Sequence, residues 1–485
     1  MTPSAAGAPP SFEKKSAKAT PTSRTTAYQS VNPFTGEVIN AFLEMSDRQL
    51  EKALRNAEAC FETWRNTSFA ERGVIVSRAA SLMRERSGEL ARLVTLEMGK
   101  LNAEALGEVA LSADILEYYA THAEAFLAPH VLKPKTGEAV IESSPLGVLF
   151  GVQPWNFPFY QLARFAAPNL MAGNVVLVKH AGCVPQCAAA FEKLWRDAGA
   201  PAGAYTNLRI SHEQSDQIID DPRIRGVALT GGLEAARKVA ARAGLNLKKT
   251  TMELGGNDAF IVLADADLEA TIRWAVWAKM NNNGQSCVAA KRFILAEEIA
   301  DAFVARFQAA LLALKPGDPM DPATTLAPMS TEAALVTLLD QVQRAVAKGA
   351  TLLTGGARLD RPGSFMQPTI LTHIRPSNPA YREEFFGPVA LVFRVKDADQ
   401  AVALANDSDF GLGGAVFTRN LLLGRQVAGR IEAGMVCINH PTWTACDMPF
   451  GGIKNSGYGR ELSCLGIQEF VNKKLIQAMP IDAAI

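Results

Sequence analysis

The chain has 485 residues, more than one ordinary hydrophobic core organises, so two or three domains are expected. Apolar residues make up 48% and charged ones 20%, and 49 basic side chains balance 49 acidic ones, which is a soluble profile with no pull toward nucleic acid or an anionic membrane. No apolar run is long enough to span a bilayer, and the seven scattered cysteines argue against a disulfide framework and for a reducing, cytoplasmic compartment.

The first 26 residues are rich in Ala, Ser, Thr, Pro and Lys, with Arg24 as their only arginine. They lack the apolar segment of a secretory signal and read as a disordered tail in preference to a transit peptide. Ser46-Asp47-Arg48-Gln49 and Ser68-Phe69-Ala70-Glu71 have the form of capping boxes. After the first, Leu50, Ala53, Leu54, Ala57, Phe61 and Trp64 recur at helical spacing. After the second, apolar positions continue to Leu96 and Met98, with stop signals at Ser87-Gly88 and Gly99. The N-terminal third is therefore mostly amphipathic helix, expected to pack on a sheet.

From residue 146 the pattern changes to short unbroken apolar runs at 146–150, 175–178 and 226–229, separated by helical stretches such as 186–198. A second series occupies 260–263, 293–295, 389–393 and 435–438, with a helix over 268–280. Continuous apolar strands alternating with helices predict parallel sheets covered on both faces. The expected fold class is α/β, with two such domains meeting near residue 255. Residues 470–478 read as a terminal strand. No internal repeat is visible, and Cys183 and Cys187 lack the second Cys/His pair of a zinc site, so no metal is expected.

The chemistry centres on Asn281-Asn282-Asn283-Gly284-Gln285-Ser286-Cys287. A thiol at the end of such a turn is accessible, and its thiolate is a good nucleophile. A lone cysteine is ordinarily a core residue, but three other segments change that reading: Gly151-Val152-Gln153-Pro154-Trp155-Asn156-Phe157-Pro158, Glu253-Leu254-Gly255-Gly256-Asn257 and Glu383-Glu384-Phe385-Phe386-Gly387-Pro388. The four, in chain order, resemble the aldehyde dehydrogenase family, over nearly the whole chain from about Asn32. Aldehyde oxidation needs a nucleophile to make the carbon tetrahedral, fixed donors for the oxyanion, and a base that activates water against the resulting thioester. Cys287 fits the first role. Asn156 and the Cys287 backbone N–H fit the second, and Glu253, a carboxylate beside an apolar cleft, fits the third.

The resemblance also implies an NADP or NAD site, although no G-x-G-x-x-G follows a strand. It assigns Trp155, Lys179, His180, Gly182, Gly231, Gly232, Glu384 and Phe386 to that site. Lys179 would bind the adenosine ribose, Glu384 the nicotinamide ribose, and Phe386 would pack by the nicotinamide. The chain departs from the family's frequent pattern at Gly232, where serine is common, and at Ala236, where glycine is. NAD-preferring members often carry glutamate at the position of Gly182; a neutral glycine there, with His180 adjacent as a potential donor, implies that NADP is accepted and NAD used too.

Arg164 lies eight positions beyond Asn156, about two helical turns, and is expected to look into the substrate tunnel and clamp a carboxylate, with Trp443 also lining the tunnel. The alternative for Arg164 is an ion pair with a neighbouring carboxylate. Arg164, the run 177–181 and the run 450–462 resemble the succinate-semialdehyde dehydrogenase branch, although Asn281 stands where some members have a second arginine. The other substrate reading is an uncharged small or aromatic aldehyde, with Phe159, Tyr160 and Trp443 on the wall. A non-catalytic protein on the same fold is the distant alternative. The resemblance implies a cofactor domain over 27–136 and 145–254, a catalytic domain over 255–440 and a return segment at 441–469. It also implies an arm of 137–144 and 470–485 that joins subunits into a homodimer or homotetramer.

Overall fold

The computed structural model describes residues 28–482, so the tail expected over 1–26 and the final residues of the arm lie outside it. Both capping boxes form and open the helices Asp47–Trp64 and Phe69–Glu85: each serine accepts from the backbone N–H three residues on, whose own side chain returns to the serine N–H. Gly99 ends Ser87–Met98 in the left-handed conformation at φ 80°, where a Cβ would also meet Pro328 at 2.8 Å. The long helix Asn102–Phe126 packs against Phe69–Glu85 on one side and Pro158–Met171 on the other.

The first sheet has the strand order Gly457–Tyr458, Lys249–Glu253, Ile224–Thr230, Val148–Gln153, Val175–His180, Tyr205–Asn207. All pairings are parallel except that of Gly457–Tyr458, which runs antiparallel with Gly457 opposite Glu253. The second sheet has the order Thr351–Thr354, Thr369–Thr372, Val389–Val395, Arg292–Ala296, Ala259–Val262, Gly414–Phe417, Cys437–Ile438, and only its Thr351–Thr354 edge is antiparallel. The inner strands are buried at nearly every position because helices cover both faces, which is why they read as unbroken apolar runs. A third sheet pairs Val471–Ala478 with Glu138–Pro145, from Val471 opposite Pro145 to Ala478 opposite Glu138. It also takes in His130–Leu132, which the sequence reading grouped with the cofactor domain.

In the first sheet the chain winds in both directions from Val148–Gln153, so its C-terminal end is a switch point where an open crevice forms. Pro154, Trp155 and Asn156 leave the sheet there, with Thr230, Gly231 and Gly232 leaving the neighbouring strand. The strand Lys249–Glu253 ends at the same edge, and the chain crosses through Leu254 and Gly255 to the second sheet. There the residues just ahead of the strands, Cys287 before Arg292–Ala296 and Glu384 and Phe386 before Val389–Val395, complete the crevice wall.

Candidate active site

The turn that leads to Cys287 has an unusual backbone. Asn282 and Asn283 are left-handed at φ 52° and 54°, and Gly284 follows at φ 75°. Asparagine tolerates this region better than most side chains. Gly284 does not admit a Cβ, which would fall 2.3 Å from the Gly387 carbonyl. The turn is tied down by its own amides: Asn282 Nδ2 donates to the Asn156 carbonyl at 2.8 Å and to the Gln285 carbonyl at 3.1 Å, and Ser330 N donates to Gln285 Oε1 at 2.8 Å. Asn156 Nδ2 reaches the same Gln285 carbonyl at 3.2 Å, which brings the expected oxyanion donor to the cysteine turn.

The Cys287 thiol lies against the Glu253 carboxyl. Burial pushes the thiol well above its ordinary range, and the neighbouring Glu253 adds to this, while Lys291 and Arg164 pull it down. Burial also pushes the Glu253 carboxyl up to about 7, against the pull of Arg164. A carboxyl near 7 is matched to proton transfer at neutral pH. Two cavities meet at Cys287. One, of about 540 Å³, has Phe157, Tyr160, Trp277, Trp443, Thr444 and Phe450 on its wall. The other, of about 240 Å³, is walled by Trp155, Asn156, Gly231, Gly232, Glu253, Glu384 and Phe386. Cys287 and Gln161 belong to both walls.

The smaller cavity suits a dinucleotide. Gly232 is the N-cap of the helix Leu233–Leu245, and a Cβ there would meet nothing within 4 Å, so a phosphate has an open approach to the helix amides. Trp155 and Phe386 stand edge to face at 5.8 Å, with Glu384 on the same wall. Lys179 sits at the end of its strand near the Tyr28 ring, and the Gly182 carbonyl accepts from Gln29 N at 3.0 Å. Neither lines the cavity; both lie beyond it along the sheet edge.

Three expectations are corrected. Arg164 does not line the larger cavity. Its guanidinium is completely buried between Glu253 at 3.2 Å and Glu461 at 2.6 Å, bonded to Tyr160 Oη at 3.0 Å and Gln161 Oε1 at 2.5 Å. It lies 4.8 Å from both the Tyr160 and Phe450 rings, which do form the wall, so it stands behind that wall. The helix opens only at Pro158, so Asn156 lies off it, and counting two turns from Asn156 does not fix the face that Arg164 takes. His180 offers nothing to a ribose: its ring nitrogens face the Gln153 carbonyl at 3.2 Å and the Pro158 carbonyl at 3.0 Å, and burial lowers its pKa to about 4. Neighbouring strand residues point to opposite faces, so a strand that turns Lys179 one way turns His180 the other. Phe159 is fully buried against Phe191 and does not reach the cavity, whereas Tyr160 and Trp443 do.

Several groups had no signal in the sequence. Glu108 Oε1 accepts from Phe159 N at 2.8 Å and Tyr160 N at 3.2 Å, capping the helix Pro158–Met171 from a distant part of the chain. Lys100 pairs with Glu108 and lies 3.7 Å over the Phe157 ring. Glu104 accepts from Asn282 N at 3.1 Å, and burial pushes its carboxyl up to about 7. Among the described residues there is no cluster of three or more His, Cys, Asp or Glu able to hold a metal, and no helix long and apolar enough to cross a membrane.

The fold and site define an α/β arrangement in which a thiol stands on the common wall of two cavities, the smaller of which suits a dinucleotide. The chain belongs to the aldehyde dehydrogenase family, whose model matches residues 19–476. It is 50% identical over 453 residues to a succinate-semialdehyde dehydrogenase [NADP(+)] of Deinococcus radiodurans, covering 93% of this chain and 95% of that protein. It is 43% identical to the succinate semialdehyde dehydrogenase [NAD(P)+] Sad of Escherichia coli, covering 91% and 96%. Among solved structures it is similar to succinic semialdehyde dehydrogenase from Streptococcus pyogenes in complex with NADP+, with a TM-score of 0.92 and 43% identity over 93% of this chain and 100% of that one.

Proposed function

We propose that this chain oxidises succinate semialdehyde to succinate with NADP+. The observation that carries the reaction type is Cys287 on the wall common to both cavities, with Glu253 against its thiol. Glu253 takes the thiol proton and releases it to solvent, and the thiolate adds to the aldehyde carbon. The oxyanion formed accepts from Asn156 Nδ2 and the Cys287 N–H. NADP+, when bound, supplies a hydride acceptor; Trp155, Gly231, Gly232, Glu384 and Phe386 would hold it, with Lys179 and Gly182 beyond the cavity at the strand end. Glu253 then removes a proton from water as the water attacks the acyl carbon of the Cys287 thioester. The C–S bond breaks, the acid leaves and the thiol is restored. Arg164 orients Glu253 and shares its charge with Glu461.

The substrate assignment is supported by the relatives, and the cofactor assignment by them and by neutral Gly182. The larger cavity's wall offers a substrate carboxylate the Asn281 amide and the hydroxyls of Ser286, Thr442 and Thr444, while Lys100, on the same wall, is paired with Glu108. The aromatic wall of Phe157, Tyr160, Trp277, Trp443 and Phe450 favours a second reading, in which uncharged aldehydes are also oxidised. We further propose that residues 27–136 and 145–254 act as the cofactor domain, with the return segment 441–469, and 255–440 as the catalytic domain of a cytoplasmic enzyme. The arm of 137–144 and 470–485 pairs subunits into a dimer or tetramer. Steady-state kinetics with succinate semialdehyde, propanal and benzaldehyde, each with NAD+ and NADP+, test the reading. The highest kcat/KM is expected for succinate semialdehyde with NADP+; a higher value for benzaldehyde overturns the substrate.

A further inference from the structure

Lys291 has no exposed surface, yet its ammonium is fully satisfied. It donates to the Ser286 carbonyl at 2.7 Å and the Cys287 carbonyl at 2.5 Å, and pairs with Glu384 Oε1 at 3.2 Å. Three donors meet three acceptors. The Lys291 backbone is fixed in the second sheet, its N–H donating to the Asp258 carbonyl at 3.1 Å and its carbonyl accepting from Leu391 N at 2.9 Å. From that anchor the side chain reaches back to the nucleophile's own peptide. Glu384 is held in turn by Gly256 N at 3.0 Å, and it lies where a Cβ on Gly255 would come within 2.0 Å of its Oε2. Glycine at 255 thus leaves space for the carboxylate that pairs with Lys291.

The charged groups around the thiol are Glu253, Arg164 and Lys291, and those around Lys291 are Glu384, Asp258 and Lys279. Arg164 is already neutralised by Glu253 and Glu461. Lys279 donates to the Val389 carbonyl at 3.0 Å, away from the cysteine turn. Lys291 is therefore the cation bonded to the cysteine's own peptide.

We propose that Lys291 is the positioning residue of the nucleophile: its ammonium fixes the Ser286 and Cys287 carbonyls and supplies positive charge beside the thiol, with Glu384 as its counter-ion. Glu384 thereby serves both the smaller cavity and, through Lys291, the cysteine turn. The inference rests on reading Cys287 as the nucleophile.

The test is the rate of Cys287 alkylation by iodoacetamide against pH in the enzyme without cofactor, with the labelled cysteine identified by peptide mass. Lys291→Met should alkylate about tenfold more slowly near pH 8 and converge with the wild type at high pH, as a thiol deprived of a nearby cation does. Lys291→Arg should recover part of the loss. Glu384→Gln should act in the opposite sense and speed alkylation near pH 8, because Lys291 loses its counter-ion. A merely structural role would slow both variants. A wild-type profile in Lys291→Met, or slowing in Glu384→Gln, overturns the proposal. If Lys291→Met does not fold, Glu384→Gln and Lys291→Arg decide it by the sign of their shifts. If complete alkylation of Cys287 leaves aldehyde oxidation intact, the nucleophile assignment itself has failed, and that outcome is distinct from an unshifted profile.

Discussion

Arg164→Met separates two roles for a buried cation: holding Glu253 or holding substrate. In the structure the guanidinium is 3.2 Å from Glu253 and 2.6 Å from Glu461 and is absent from the substrate cavity. At 3.2 Å and an effective dielectric constant of about 20, the attraction to Glu253 is roughly 5 kcal/mol before sharing with Glu461. If only about 1.4 kcal/mol of this is lost, the Glu253 titration moves tenfold in proton affinity. The sign follows from the cation: Arg164 lowers the Glu253 pKa, so its removal raises it from about 7. A general base acts when ionised, so its activity grows as pH rises through its pKa, and in the variant that rise should come at higher pH. Near pH 7 the ionised fraction should fall by about fivefold or more. The loss should be equal, within about threefold, for succinate semialdehyde and butanal, since Glu253 serves both. The assay is kcat/KM and kcat against pH on the two aldehydes. A thirtyfold loss on succinate semialdehyde with butanal unchanged would refute the reasoning and place the guanidinium on the substrate carboxylate. Breaking a buried pair typically costs about 3–5 kcal/mol of stability, so Arg164→Lys, which keeps the charge, is the companion variant and should retain the wild-type pH profile more closely.

Cys287→Ala should abolish aldehyde oxidation and leave NADPH binding, followed by fluorescence titration, close to wild type; more than a few per cent of residual rate would be inconsistent with a covalent step. Glu253→Gln should slow the formation of reduced cofactor, which needs the thiolate, and still give a stopped-flow burst of about one equivalent per site followed by far slower turnover, because hydrolysis of the thioester loses its base. Gly182→Glu should weaken NADP+ about tenfold or more through like-charge repulsion and NAD+ far less, as read by KM for each; equal weakening would show that residue 182 does not face the ribose.

What was legible in the sequence was local or periodic. The capping boxes at Ser46 and Ser68 are complete within four residues, so their hydrogen bonds follow from spacing alone. The parallel strands are marked by apolar runs because both faces are covered. The cysteine turn was marked by Asn-Asn-Asn-Gly, whose left-handed backbone is a property of those residue types. Direction was harder to read. His180 was assigned to the same side as Lys179 although the alternation of a strand separates them.

The remaining parts of the site were hidden because they are made by pairs far apart in the chain. Lys100 and Glu108 stand one helix away from the N–H groups of Phe159 and Tyr160 that Glu108 caps. Glu461 reaches Arg164 only because the return segment rejoins the first sheet at Gly457–Tyr458, opposite Met252 and Glu253. That pairing brings the end of the chain to the strand that carries Glu253. Arg164 illustrates the consequence: with no knowledge of Glu461, a guanidinium near Cys287 reads as free for a ligand. With both carboxylates in place its charge is already matched, and giving either up to a substrate would leave a buried anion unpaired. The same logic limits what replaces it in substrate recognition. Lys100 is bound to Glu108, so a substrate carboxylate entering the larger cavity meets hydroxyls and aromatic rings before it meets an unpaired cation. Selectivity among aldehydes should then depend on the shape and hydrogen-bonding of that wall, and variants of Thr444 or Trp443 should change KM more than kcat, opposite to variants of Arg164.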